Sequence, residues 1–292
     1  MLPMDAVAAM LESDAPLRFA IFLAVFAVMA AWEIVAPRRK LAASKSQRWT
    51  ANLAILITNT ALVRAIFPAA AVGIAMFAEA RGVGLLHAID IHAGLKIALA
   101  LAALDLAIYL QHVMFHAVPL LWRLHRAHHA DLDIDVTTGA RFHPVEMLLS
   151  MAIKAAAILV IGAPALAVLV FEIVLNASSM FNHSNVRIPQ RLDSVLRWLV
   201  VTPDMHRVHH SIRGEETNRN FGFNLPWWDR LFGTYRAQPR DGHEGMTIGI
   251  PGFRDPRRSS TYTGILAIPF VALKDNAAAD SAPIARQSKQ VT

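Results

Sequence analysis

The sequence predicts an all-α integral membrane protein, with about three transmembrane helices plus a helical hairpin and a cytoplasmic histidine-rich cap. Three observations predict it. Hydrophobic residues make up 55% of the 292-residue chain and charged residues 17%, against roughly 45–50% and about 25% in soluble domains. Several apolar stretches reach the roughly 20 residues that a helix needs to cross ~30 Å of hydrocarbon. Of 13 histidines, ten fall between His112 and His210, from the end of the third of those stretches onward.

Taken in order, the N-terminus carries Asp5, Glu12 and Asp14 where a signal peptide carries positive charge, so the first hydrophobic helix is expected to stay uncleaved. That helix is the first span, residues 17–36. The second span covers about 52–78 and contains Arg64 and Pro68, and the third covers 93–118 and contains Asp105. Charges inside a span face protein or water more often than lipid, so Arg64 and Asp105 are expected to make polar contacts between packed helices. The loop "PRRKLAASKSQRW" joins the first two spans and holds Arg38, Arg39, Lys40, Lys45 and Arg48. The positive-inside rule puts it in the cytoplasm, and two further crossings then bring "WRLHRAHH" to the same side.

The next apolar segment, residues 145–181, is interrupted by Gly162-Ala163-Pro164, a helix terminator followed by a helix starter. A single crossing would separate His125 from His206, whereas a hairpin keeps them on one side. Each arm of about 17 residues gives about 25 Å of helix, so the turn should lie shallow in the far leaflet or just reach it. Lys154 and Glu172, one in each arm, snorkel or face partners. A mostly polar segment follows over residues 182–258, then "GILAIPFVAL", too brief to span, and a tail from Lys274 to Thr292 expected to be disordered.

Charge and cysteine content exclude several functions. The net charge of +6 fits cytoplasmic loops facing anionic lipid, and no concentrated basic surface points to nucleic acid. With no cysteine, disulfides, thiolate metal sites and cysteine nucleophiles are ruled out, and any metal must be held mainly by nitrogen and oxygen.

The histidines fall into spaced clusters. His112 and His116 form HxxxH, which puts both rings on one helix face. His125, His128 and His129 form HxxHH, and His206, His209 and His210 repeat it. In each triplet the rings emerge from one side of a helix, within reach of two neighbouring metals. His143 in "RFHPVE" and His183 in "NHSN" stand alone. A lone histidine is more often a hydrogen-bonded side chain than a ligand. Packing many imidazoles together without metal, however, leaves each needing a partner and repelling its neighbours once protonated. Coordination relieves both problems. A first-row ion takes about four to six ligands, so ten imidazoles suit two ions, though imidazole alone does not choose among iron, copper, nickel and zinc. Haem does not explain adjacent pairs such as His128 and His129, and HExxH is absent.

These residues carry a resemblance. HxxxH at 112, HxxHH at 125, "DVTTGARFHPVE", "FNHSN", "VTPDMHRVHHS" and "NFGFNLPWWDRLFGTY" together resemble the fatty acid hydroxylase/sterol desaturase superfamily, particularly its bacterial members, over residues 95–240. The resemblance implies an integral-membrane oxygenase, expected in the bacterial inner membrane with its metal site facing the cytoplasm. It implies two iron ions, dioxygen as co-substrate, and a fatty acyl chain, sterol or alkylglycerol as the lipid hydroxylated or desaturated. Carried over by motif, the ligands are His112, His116, His125, His128, His129, His143, His183, His206, His209 and His210. The chain then divides into N-terminal transmembrane helices (1–94), a di-metal catalytic region (95–240) and a C-terminal segment (241–292).

No Gly-rich dinucleotide fingerprint is present, so electrons are expected from a separate protein. Asp131, Asp133 and Asp135 are either acceptors that orient imidazoles or solvated turn residues. Asn182 and Asn185 either hold a ligand water or cap a helix. Trp227, Trp228, Phe232 and Tyr235 are expected to support the cap, the alternatives being a lid over the metals or a lipid interface. Arg126 and Arg207 attract phosphate headgroups or simply obey the charge rule. A non-catalytic metal-binding membrane protein, for storage, sensing or transport, is the alternative function.

Overall fold

The computed structural model describes residues 4–272, and side chains from residue 16 onward. The tail expected to be disordered lies outside them. The chain is helical, with two isolated β-bridges and no strand among the described residues. The elements are α1 (Met4–Val35), α2 (Lys45–Ile66), α3 (Ala70–Arg81), α4 (Ala93–Ala117), α5 (Pro119–His129), α6 (Pro144–Ile161) and α7 (Ala165–His183), followed by shorter helices. These are α8 (Gln190–Leu196), α9 (Pro203–His209), α10 (Gly214–Thr217), α11 (Trp227–Leu231), α12 (Gly242–Gly245), α13 (Pro256–Ser259) and α14 (Tyr262–Ala267).

Five stretches are long and apolar enough to cross a membrane: Pro16–Val35, Lys45–His87, Ala93–Ala117, Pro144–Ile161 and Ala165–His183. Three match the expected spans, and the last two are the hairpin arms, each itself of spanning length. The second is longer than expected and broken after Ile66, where Pro68 supplies no amide hydrogen and its ring disfavours helical geometry in the residue before it. Phe67 therefore caps α2, its N–H donating to Val63 O, and α3 restarts at Ala70.

The hairpin turn forms as its composition dictates. Gly162 takes the left-handed conformation, φ 68°, at the end of α6, where a Cβ is disfavoured, and Pro164 precedes α7. The loop after α3 rests on this turn so closely that a Cβ on Gly84 would stand 2.3 Å from the Gly162 Cα. Both turns therefore lie at one end of the bundle, and α4 and α7 run from that end toward the histidines. Between them the core uses small residues, Ala71, Ala75, Ala100, Ala163 and Ala167, beside Leu104, Ile158, Val168 and Phe171. Small side chains let helix backbones approach closely where burial from lipid gives little driving force.

The interior charges are only partly as expected. Asp105 is buried and accepts from Asn224 Nδ2 and Trp228 Nε1, each at 2.8 Å. Glu172 pairs with Lys154 at 2.8 Å and with Arg18 at 2.7 Å, tying α7 to α6 and α1. Arg64 differs: it sits exposed in the last turn of α2, where a basic residue suits the negative end of the helix dipole.

Candidate metal centre

α4 ends at Ala117, and Val118 both closes it and precedes Pro119, the first residue of α5. That tight corner turns His125, His128 and His129 back toward His112 and His116. On the other side Thr202 caps α9, its hydroxyl accepting from Met205 N, with Pro203 in the first turn. This short helix presents His206 and His209, and His210 closes it. α7 brings His183 as its last residue.

Nine of the ten candidate histidines converge into two buried groups. His112, His116, His125, His129 and His209 form the first, and His128, His183, His206 and His210 the second; within each, one nitrogen per ring lies within 4.8 Å of all the others. The triplets exchange members. His125 and His129, four apart on one helix face, join the first group while His128 joins the second, and α9 contributes His209 to the first but His206 and His210 to the second. The groups abut, the rings of His129 and His210 stacking at 4.6 Å between centroids.

Most of the rings are held by their other nitrogen. Nδ1 of His112 lies 2.8 Å from Phe221 O, that of His209 2.8 Å from Arg219 O, that of His183 2.7 Å from Ser179 O, and that of His128 3.2 Å from Arg141 O. A carbonyl oxygen can only accept, so in each of these rings Nδ1 carries the proton and Nε2 is left with a bare lone pair. The Nε2 atoms of His112, His125 and His209 and both nitrogens of His210 have no hydrogen-bond partner. Nε2 of His128 and Nε2 of His183, both lone-pair nitrogens by this reasoning, stand 3.1 Å apart. Two lone pairs so placed repel unless a cation lies beside them. Burial, then the neighbouring imidazoles, push the pKa of His128, His129, His206 and His209 well below 6.5, so these rings are neutral, as a ligand must be. The residues present fit a pair of metal ions.

His143 is not brought to either group. Its Nδ1 accepts from Val145 N at 3.3 Å, making it the N-cap of α6, and Pro144 in the first turn suits that role. What the cap positions is Glu146, whose Oε1 lies 2.6 Å from Nδ1 of His125. Sequence reading passed over Glu146, although a carboxylate three residues after a helix cap is a recognisable spacing.

Arg48 is a second residue that sequence reading missed, counting it only as a loop charge. Fully buried, it donates from Nε and Nη2 to Asp131, at 2.6 and 2.9 Å, and from Nη1 to Asp135 at 2.6 Å. Asp133 accepts from Ala42 N and Ala43 N at 2.6 and 2.8 Å. The three aspartates are therefore neither solvated nor bonded to imidazoles; they lock the segment after α5 to the start of α2. Burial would raise the Asp131 pKa, but the guanidinium groups of Arg48 and Arg141 override it and hold it at about 2. Arg141 reaches back to Ala127 O at 2.9 Å, so its own carbonyl is fixed where His128 needs it.

The remaining expectations resolve individually. Asn185 bonds the backbone of Arg39 through both side-chain atoms, and Asn182 donates to Phe223 O at 3.0 Å. Arg126 and Arg207 face no headgroup: both are buried, the first on the carbonyls of Ile268 and Val271, the second on Asp204 and Ser184 O. Trp228 anchors to Asp105, while Trp227 and Phe232 remain half-exposed.

Known proteins carry similar sequence. Residues 97–234 match the model of the family described as fatty acid hydroxylase. The chain is 31% identical over 175 residues to ornithine lipid hydroxylase OlsE of Rhizobium tropici, covering 60% of this chain and 50% of that protein. It is 28% identical over 155 residues to alkylglycerol monooxygenase of Xenopus tropicalis and 27% identical over 157 residues to that of Homo sapiens, in each case covering 53% of this chain and 34% of the relative. The chain thus spans half or less of the length of these relatives. No solved structure matches it. A histidine pattern, an all-helical membrane architecture and the family match thus agree in their direction, and residues 97–234 are similar to the fatty acid hydroxylase family.

Proposed function

We propose that this protein is a membrane-bound, dioxygen-dependent oxidoreductase that hydroxylates or desaturates a lipid at a non-haem di-iron site. The observation that carries the proposal is the pairing of lone-pair nitrogens, His128 Nε2 and His183 Nε2, 3.1 Å apart within one of the two groups that nine buried rings form. Such a set is unfavourable when empty and complementary to cations. His112, His116, His125, His129 and His209 would hold one ion, and His128, His183, His206 and His210 the other. His143 acts in this reading as a helix cap. Bound there, iron supplies the oxidant that an unactivated C–H bond requires and that no side chain provides.

The chain's own contribution is to hold and shield. Backbone carbonyls of Phe221, Arg219, Ser179 and Arg141 keep Nδ1 protonated and aim Nε2 inward, and Glu146 does the same for His125 with a charged acceptor, which makes that ring a stronger donor. Burial of every ring keeps bulk water from the reacting centre. Similarity to an ornithine lipid hydroxylase and to alkylglycerol monooxygenases supports a membrane lipid with a polar head as the substrate. The basic loop of Arg38 to Arg48 favours a cytoplasmic position for the histidines, in the inner membrane of a bacterium, where a separate protein supplies electrons.

Metal analysis and lipid mass spectrometry test this together. Protein purified after growth with iron is expected to hold two iron ions per chain, and membranes containing it to gain lipid species heavier by one oxygen or lighter by two hydrogens. His128→Ala should abolish the lipid change while leaving membrane insertion intact. Metal-free protein, or unchanged lipid modification by His128→Ala, would refute the proposal.

A further inference from the structure

Two segments outside the candidate spans expose large apolar side chains. Leu192, Val195 and Leu199 project from α8 and the turn after it, and Trp227, Leu231 and Phe232 from α11, with Leu199 58% and Leu231 69% exposed. The segments adjoin. Trp227 Nε1 donates to Trp198 O at 2.7 Å, and the Arg230 guanidinium lies 3.6 Å over the Trp198 ring while donating to Arg197 O at 3.0 Å. A contiguous apolar face of this kind marks an interaction surface.

Its depth identifies what covers it. The Asn224–Phe232 segment is fastened along the side of α4: Asn224 and Trp228 bond Asp105, and Phe232 stacks on Tyr109 at 5.5 Å. At 1.5 Å per residue along α4, Tyr109 lies about 5 Å and Asp105 about 10 Å from His112 toward the far end of the bundle. α4 also exposes Leu110, Leu99 and Leu95, as a lipid-facing helix does. With α4 read as a span, the attached segment therefore lies about 5–10 Å from His112 on the hydrocarbon side, a distance comparable to the depth that amphipathic elements reach in a membrane interface. Trp198 and Arg230 have the aromatic and snorkelling character of residues at headgroup level.

We propose that α8 and α11 form one platform sunk into the histidine-side leaflet, so that acyl chains, not water, border this flank of the histidine site. The consequence for chemistry rests on the lipid oxidation proposed above; the embedding does not. Phe221 and Phe223, just before Asn224, pack on both histidine groups, Phe221 on His112 and His209, each with centroids 5.5 Å apart, and Phe223 on His183 and His206, each 6.4 Å apart. A lipid lying on the platform therefore has its chain beside the wall of the site.

The absence of cysteine makes the test direct. Leu199→Cys and Leu231→Cys, each in the full chain, are nitroxide-labelled and reconstituted into phosphatidylcholine/phosphatidylglycerol vesicles. Collision with dioxygen, which partitions into lipid, is compared with collision with a water-soluble nickel chelate. The same labels at Leu99, exposed within α4, and at Glu215, exposed in the cap, give the lipid and water references. Both platform labels should follow Leu99, with dioxygen favoured at least several-fold over the chelate. Labels that follow Glu215 would overturn the proposal, and labels shielded from both reagents would overturn it in favour of a protein contact such as a second copy. Wild-type protein that modifies no lipid would refute the proposed function and leave the platform intact.

Discussion

Glu146 Oε1 lies 2.6 Å from Nδ1 of His125, the one carboxylate found against the outer nitrogen of a gathered histidine among the described residues. A carboxylate acceptor stabilises the protonated Nδ1 more than a neutral carbonyl does and raises the basicity of Nε2. Glu146→Ala should lower metal affinity by roughly 10–100-fold, and Glu146→Gln, which keeps an acceptor oxygen, by less. Titration of the purified apoprotein with ferrous iron checks this; equal affinity in all three proteins would show that Glu146 serves only packing.

Arg48 joins parts of the chain far apart in sequence, and its role should appear as stability. It neutralises Asp131 and Asp135 where all three side chains are fully buried. Removing one partner of such a network leaves an uncompensated charge and costs about 3–5 kcal/mol. Arg48→Met should therefore lower the unfolding temperature in detergent sharply, and Arg48→Lys should recover little because a single ammonium cannot reproduce the forked donors. Retention of wild-type stability by Arg48→Met would show that the aspartates find other partners.

How far the sequence reveals this molecule depends on the range of each signal. HxxxH and HxxHH are local, and helix geometry alone puts their rings on common faces. The Gly162-Ala163-Pro164 turn is equally legible, because a left-handed glycine followed by proline needs no tertiary information. The exchange of triplet members between groups is not legible, since it depends on how α5 and α9 face each other. His143 belongs chemically with the other histidines, and only its place before Pro144 marks it as a cap. Arg48 looks like any loop charge until Asp131 and Asp135 surround it. The apolar platform escapes notice because its residues are scattered over two short helices within a polar segment.

Close backbone approach at the far turn yields a steric prediction. A Cβ on Gly84 would lie 2.3 Å from Gly162 Cα and 2.5 Å from Leu159 O, all backbone, and φ there is 104°. Neither partner can move without opening the hairpin turn. At Gly82, φ is 63° with nothing within 4 Å of a Cβ, so alanine there costs only about 1 kcal/mol of backbone strain. Gly84→Ala should consequently destabilise the protein much more than Gly82→Ala, measured by thermal unfolding in the same detergent. Equal effects would mean that the loop after α3 does not rest on the hairpin.

His243 supplies a pH dependence separate from the histidine groups. It is buried on α12 with Nε2 3.5 Å from Asp204 Oδ2. Burial lowers its pKa; Asp204 opposes this, the guanidinium groups of Arg207, Arg38 and Arg197 reinforce it, and the result is a value of about 3. A depressed folded-state pKa means that the unfolded chain takes up the proton first. The stability contributed by neutral His243 is thus fully present above about pH 6.5, the ordinary histidine value, and is lost progressively as pH falls toward 3. His243→Gln, which cannot titrate, should therefore lose less stability than wild type between pH 7 and pH 5, each measured as the change in unfolding temperature of metal-loaded protein. Parallel losses in the two proteins would show that the contact of α12 with α9 does not sense acid through His243.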